Sequence, residues 1–247
     1  MLIIDEHTHY HWVEFLKKKS DAFTQLQKSK LQAEQEADLK VQFLKSDGGM
    51  EFRSKVFEDW LSAEGVLHEK SAPYEHEQNG LAERGIQNVS QQAMCQLFSV
   101  NMLEGFWLYA VETAIYLINH SPTTTLDNKT PFEAWTDKCP NIKHLQTFGE
   151  TGYVHIPPET HKKWSKKSCP CRLLGYSSRL RNYKMWDSEC HTVVISPNVD
   201  FDELSASSMT SSKQGLDDLK NIFEVEGATY EMVNGDANEW ESDEEVL

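Results

Sequence analysis

The texture of the chain changes near residue 140, and that change constrains its fold more than any single residue does. Before it, short β-rich runs alternate with long stretches of helical periodicity; after it only short strands recur. "MLIID" and "YHWVEFL" flank a polar turn and predict a hairpin. "SDAFTQLQKSKLQAEQEADLK" predicts a helix capped by Ser20, with Phe23, Leu26 and Leu31 near one face. "VQFL", residues 41–44, predicts a strand that ends at "KSDGG". In "SKVFEDWLSAEG" a second helix carries Val56, Phe57, Trp60 and Leu61 on its apolar face and stops at Gly65. "VLHEKS" reads as a further strand. A long helix from about Leu81 to Phe98 follows, then a strongly apolar one in "EGFWLYAVETAIYLINHSP", ended by Pro122. Strands alternating with helices demand an α/β fold.

Past residue 140, "ETGYVHIP", "CRLLGYSS", "NYKMWD" and "HTVVISPNVDFDE" predict a small β-rich module. From about Leu204 the chain is rich in Ser, Asp and Glu, too poor in apolar residues to build a core, and is expected to be largely disordered. The formal charge of the 247 residues is -15. From Asp200 to Leu247, 14 acidic residues face Lys213 and Lys220, a net of -12, so the other 199 residues carry -15 + 12 = -3. A surface built wholly for polyanions is excluded, but the acidity is concentrated in the tail and the body is nearly balanced. No apolar run approaches the roughly 18–20 residues of a membrane span. Five cysteines, an odd number, and no leader segment point to reduced thiols in an intracellular protein.

Asp47 falls just past a predicted strand end, where α/β folds place ligand sites. Glu83 falls at the mouth of a helix, behind the turn-rich loop "SAPYEHEQNG" with its Asn79-Gly80 breaker. Between the two acids lie 83 - 47 - 1 = 35 residues, a path long enough to bring the side chains together. Converging carboxylates repel unless a cation sits between them, and Mg²⁺ suits hard oxygen ligands. Spacing alone does not separate this from an incidental Asp–Glu pair in an acidic chain.

"SDGGMEF" with "APYEHEQNGLAER" resembles the integrase core of copia-type retrotransposons, and so do "FWLYAVETAIYLINHSPTTTLDNKTPFEAW", "HLQTFGETGYVHIP", "CRLLGYSSRLRNYKMWD" and "VVISPNVDFDE" farther along. The resemblance covers residues 1 to about 203. It implies a ribonuclease-H-like fold and DNA strand transfer by three acidic residues with Mg²⁺ or Mn²⁺, Asp47 standing for the second acid and Glu83 for the third. The fold class expected is therefore an α/β, ribonuclease-H-like integrase core, followed by a small β-rich module and an acidic tail. The corresponding domains are 1–122, 123–203 and 204–247. "MLIID" resembles the family's second strand, so the first strand, with the first acid, is expected to be missing and the domain N-terminally truncated. Asp5 matches a hairpin residue rather than the catalytic acid, and a turn role is its ordinary assignment. Without a neighbour for the 41–44 strand, either residues 2–5 pair with it directly or the sheet is partly open.

Other departures weaken the expected DNA contact. Gly48 and Met50 replace an Asn and a Gly of the family pattern, and Gly85 and Gln87 replace two basic residues after Glu83. Position 87 lies one turn past Glu83 on the same face, and glycine inside a helix costs about 1 kcal/mol relative to alanine. An amino-terminal His/Cys zinc module is not found. Asn79, Arg84, Lys162 and Lys163 are the expected nucleic-acid contacts; the last two lie in "HKKWSKKS", which equally suits a solvated loop or a nuclear signal. The C-x-C pair Cys169/Cys171 with Cys190 and His191 is poorly spaced for zinc. His7, His9 and His11 are assigned to a solvated hairpin before a metal site, and Trp107, Tyr109 and Tyr116 to the core.

Two functions follow. One is a polynucleotidyl transferase core acting in DNA integration, impaired for want of its first acid, in the nucleus before the cytoplasm, with DNA or RNA and its own copies as partners and no membrane. The other is a non-catalytic remnant of a transposable element that binds nucleic acid or protein.

Overall fold

The computed structural model describes residues 1–46, 49, 52–70, 80–156, 166–177 and 182–201. The chain is mixed α/β. Strands β1 (Leu2–Ile4) and β2 (His11–Val13) form the predicted hairpin, with Ile3 opposite Trp12. Helix α1 (Ala22–Ala37) follows, capped differently from expectation: Asp21 is the N-cap residue, and Ser20 sits in the short 3₁₀ turn Lys19–Asp21 before it. Strand β3 (Phe43–Ser46) begins two residues later than the sequence suggests. Helix α2 (Lys55–Glu64) starts where Ser54 Oγ accepts the Phe57 N–H and ends at Gly65, which is left-handed at φ 70°. Strand β4 (Leu67–Lys70) runs parallel to β3.

Two long helices, α3 (Gly80–Ser99) and α4 (Trp107–His120), pack on each other, and the short α5 (Pro131–Thr136) begins at Thr130, whose hydroxyl accepts the Glu133 N–H. Five strands close the described chain: β5 (Thr151–His155), β6 (Ser168–Tyr176), β7 (Tyr183–Asp187), β8 (Thr192–Ser196) and β9 (Val199–Phe201). They form one antiparallel sheet in the order β8-β7-β6-β5-β9.

The main core lies between the helix pair and this sheet. Val89, Ala93 and Leu97 of α3 and Ala110, Ala114 and Ile115 of α4 share one apolar cluster with Leu174 and Trp186 of the sheet. Glycine at 175 is a steric requirement: a Cβ there would lie 2.5 Å from Thr113 Oγ1, and that hydroxyl donates to the Leu174 carbonyl at 2.9 Å. A second core, around Leu26, Phe57, Leu61 and Val66, binds α1 and α2 to β3.

The outer edge of β2 is closed without another strand. Asn119 Oδ1 accepts the His11 N–H at 2.9 Å, and its amide donates to the His11 carbonyl at 2.8 Å. The amide thus supplies the donor and acceptor that a neighbouring strand would present. His11 itself is buried, against the solvated role expected of it, and burial holds its pKa below the ordinary histidine value, with the His9 carbonyl opposing.

Glu34 ties α1 to the approach to β3. Its carboxylate bonds Lys30 Nζ, Lys40 Nζ and the Val41 N–H at 2.9–3.1 Å. Burial pushes this carboxyl up, but the hydrogen bonds from Lys30, Val41 and Lys40 prevail and hold it at about 2. A depressed carboxyl stabilises the fold above its unfolded pKa and loses that contribution as pH falls through the folded one. Urea midpoints should therefore drop between about pH 4.5 and pH 2 in the parent protein. Glu34→Gln should lower stability by about 3 kcal/mol near neutrality and flatten that dependence; an unchanged acid profile would remove Glu34 from this role.

Candidate functional site

The two carboxylates expected to meet are reached from different elements, β3 and α3. Asp47 directly follows β3, whose last described residue, Ser46, pairs in register with Lys70 of β4. Asp47 itself, with Asn79, Lys162 and Lys163, lies outside the described residues. Glu83 stands in the first turn of α3 and is exposed, on the positive end of the helix where a carboxylate is favoured. Arg84 is exposed beside it and donates from Nε to the Gly80 carbonyl at 2.9 Å, which lays the guanidinium along the helix start. Gln87 is exposed like Glu83, in keeping with its place one turn further on.

What fixes Glu83 is two residues away. Gly85 is buried against the hairpin: an added Cβ would sit 2.5 Å from Ile4 Cδ1, 3.3 Å from Leu2 Cδ2 and 3.5 Å from His11 Nε2. The glycine that costs helix propensity is thus the contact point at which α3 lies down on β1. Sequence reasoning registered this position only as a lost basic residue, because nothing local announces a packing contact made by a missing side chain.

Asp5 is occupied by its own turn. Its Oδ2 accepts both the Thr8 N–H at 2.8 Å and the Thr8 hydroxyl at 2.7 Å. The histidines do not gather: His7 is exposed, and His11 turns its Nδ1 to the His9 carbonyl at 2.7 Å. Cys169, Cys171 and Cys190 are free thiols, with Cys171 buried in the sheet, and burial pushes its thiol up to about 12. Among the described residues no group of three His, Cys, Asp or Glu side chains is arranged to hold a metal. None of the described helices is long and apolar enough to cross a membrane. Trp107 packs edge-on against Phe15, and Tyr116 stacks on Tyr176, so these aromatics belong to the packing.

Comparison with known proteins gives the chain its relatives. Residues 150–215 match the retroviral polymerase SH3-like domain, which takes in the five-stranded sheet. The chain is 36% identical over 200 residues, 81% of its length, to the retrovirus-related Pol polyprotein from transposon TNT 1-94 of Nicotiana tabacum. It is 32% identical over 203 residues to that from transposon RE2 of Arabidopsis thaliana. It spans only 15% and 14% of the length of these relatives. A chain of the simian T-cell lymphotropic virus intasome, solved in complex with PP2A regulatory subunit B56 gamma, is 17% identical, with a TM-score of 0.46 over 83% of this chain and 72% of that one; the likeness is too slight to assign a fold. The chain's homologues are thus retrovirus-related Pol polyproteins of plant transposons.

Gly85→Val should crowd Ile4 and Leu2 and lower stability by about 1–3 kcal/mol, read as a fall in thermal midpoint; an unchanged midpoint would mean that α3 is not seated on β1 through this residue.

Proposed function

We propose, from the premise that this chain is homologous to the Pol polyproteins of transposons, that it is an integrase core of ribonuclease-H-like fold with a β-rich module behind it. Its task is metal-dependent DNA strand transfer, and Asp47 and Glu83 are two of the carboxylates that hold the cation. The observation that carries this reading is the homology itself: an aligned span of 200 residues in a chain of 247 takes in α3 and its Glu83.

The donor set fits a hard cation. Asp47 follows the C-terminal end of a strand in a parallel pair, and Glu83 presents an exposed carboxylate from a helix start held by Gly85. A bound Mg²⁺ or Mn²⁺ would neutralise charge on a phosphodiester and favour attack on it. Arg84 offers an exposed guanidinium to a phosphate beside Glu83, while Asn79, Lys162 and Lys163 extend the contact along the backbone of a DNA strand or of RNA. Contacts of this kind position nucleic acid without reading its sequence. The expected site of action is the nucleus, and assembly with further copies is part of the reading.

A specific observation favours impaired catalysis. Asp5 is the hairpin's own aspartate, and both Thr8 donors hold it to the turn. If Asp47 and Glu83 act without a third carboxylate, cation affinity and transition-state neutralisation both fall. This leaves room for the second reading, a remnant that binds nucleic acid or protein without chemistry.

The chain incubated with Mn²⁺ and a processed DNA end should give no joined product; product that disappears in Asp47→Asn would contradict impairment while supporting the site. In gel shifts, removal of residues 204–247 should strengthen DNA binding at low salt and Arg84→Ala should weaken it. If the shortened protein binds neither DNA nor RNA at low salt, the nucleic-acid reading fails.

A further inference from the structure

Asp47 leaves from the end of β3, and that end is held by few groups. Among the described residues β3 pairs only with β4, and Ser46 with Lys70 is the last of four pairs in the ladder. A short two-stranded ribbon frays at its ends. What ties Ser46 down therefore sets how firmly the next Cα, about 3.8 Å further on, is placed.

Two side-chain ties cross the ladder here. On one face Lys45 Nζ approaches a Glu69 carboxylate oxygen to 3.6 Å, with the two side chains 43% and 56% exposed. An ion pair so open to water adds little. On the other face Ser46 Oγ and His68 Nε2 lie 2.9 Å apart in a half-buried hydrogen bond, which is worth more.

The register explains why hydroxyl and imidazole meet. His68 stands level with Leu44, two residues before Ser46, so both groups share one face of the strand pair. The imidazole is itself held: it packs edge-on against Phe57, with ring centroids 5.3 Å apart. Phe57 is wholly buried, and its N–H is capped by Ser54 at the start of α2. A path of fixed groups thus runs from α2 through His68 and Ser46 to the strand end.

We propose that His68 is a positioning residue of the cation site, which holds the Ser46 hydroxyl and so fixes the end of β3 from which the Asp47 carboxylate is presented to the ion. This rests on the reading that Asp47 and Glu83 share a cation, and adds to it a residue outside the acidic set. A hydrogen bond of this kind shifts the balance between a held and a frayed strand end by up to about tenfold. Cation affinity follows the fraction held.

The test is calorimetric titration of Mn²⁺ into the full chain, beside amide exchange at Ser46 measured without metal. The parent should bind Mn²⁺ and Asp47→Asn should bind it far more weakly. His68→Leu, which keeps an apolar group against Phe57, should weaken Mn²⁺ binding by roughly three- to tenfold and speed exchange at Ser46 by a similar factor. Ser46→Ala should do the same, and the double variant no more than either. His68→Gln, whose amide reaches the place of Nε2, and Ser46→Thr, which keeps the hydroxyl, should hold both values near those of the parent. Val66→Ala, in the same core, should lower the thermal midpoint and leave Mn²⁺ affinity unchanged. The inference is overturned if His68→Leu speeds exchange at Ser46 yet binds Mn²⁺ like the parent, since the bond is then structural only. It is equally overturned if His68→Gln fails to keep the affinity, or if Val66→Ala weakens it as much as His68→Leu does. A parent that takes up no Mn²⁺, or an Asp47→Asn protein that takes it up equally, marks the different failure of the cation site itself, and the inference falls with it.

Discussion

The close approach of α3 to β1 at Gly85 governs the candidate site. Because no side chain intervenes, the first turns of the helix rest on Leu2, Ile4 and His11, and Glu83 is carried to a fixed place beside the hairpin. The same hairpin is gripped from its far edge by Asn119 of α4, and α4 in turn is keyed into the β-rich sheet through Thr113 and Gly175. One chain of contacts thus runs from the sheet through both long helices to the hairpin. Loosening it at Gly85 would free the end that carries Glu83 while leaving the sheet intact.

The half that holds α1, α2, β3 and β4 has a cluster of its own, into which Met1 and Ile3 of the hairpin also pack. Glu34, Lys30 and Lys40 hold the turn after α1, and the Phe57 cluster presses α2 against β3 and β4. Asp47 follows from this half and Glu83 from the other. A cation shared by the two would tie the start of α3 to the end of β3, so that metal affinity and the rigidity of the core are coupled.

Much of the fold was legible because its signals are local. Ser54 three residues ahead of Phe57 and Gly65 at the end of the periodic run mark α2 at both ends, as the structure has them. The apolar run of 107–120 could only be a buried helix. Local signals misled where tertiary packing decides. Leu31 and Val56, read as core-facing, are 56% and 67% exposed, because α1 and α2 turn Leu26 and Phe57 inward instead. Thr130-Pro131 is a helix-start signal that was there to read and passed unread as α5. The placing of Glu83 depended on Gly85, and the closing of the hairpin on Asn119, 108 residues from His11; neither contact has any trace in the sequence around it.

The central claim is that Asp47 and Glu83 serve one divalent cation. Calorimetric titration of Mn²⁺ into the parent chain, Asp47→Asn, Glu83→Gln and the double variant tests it most directly. The account predicts that either substitution alone weakens binding about as much as both together, the mark of two groups acting on one ion. Losses that simply add, or a Glu83→Gln protein that binds Mn²⁺ like its parent, would contradict it.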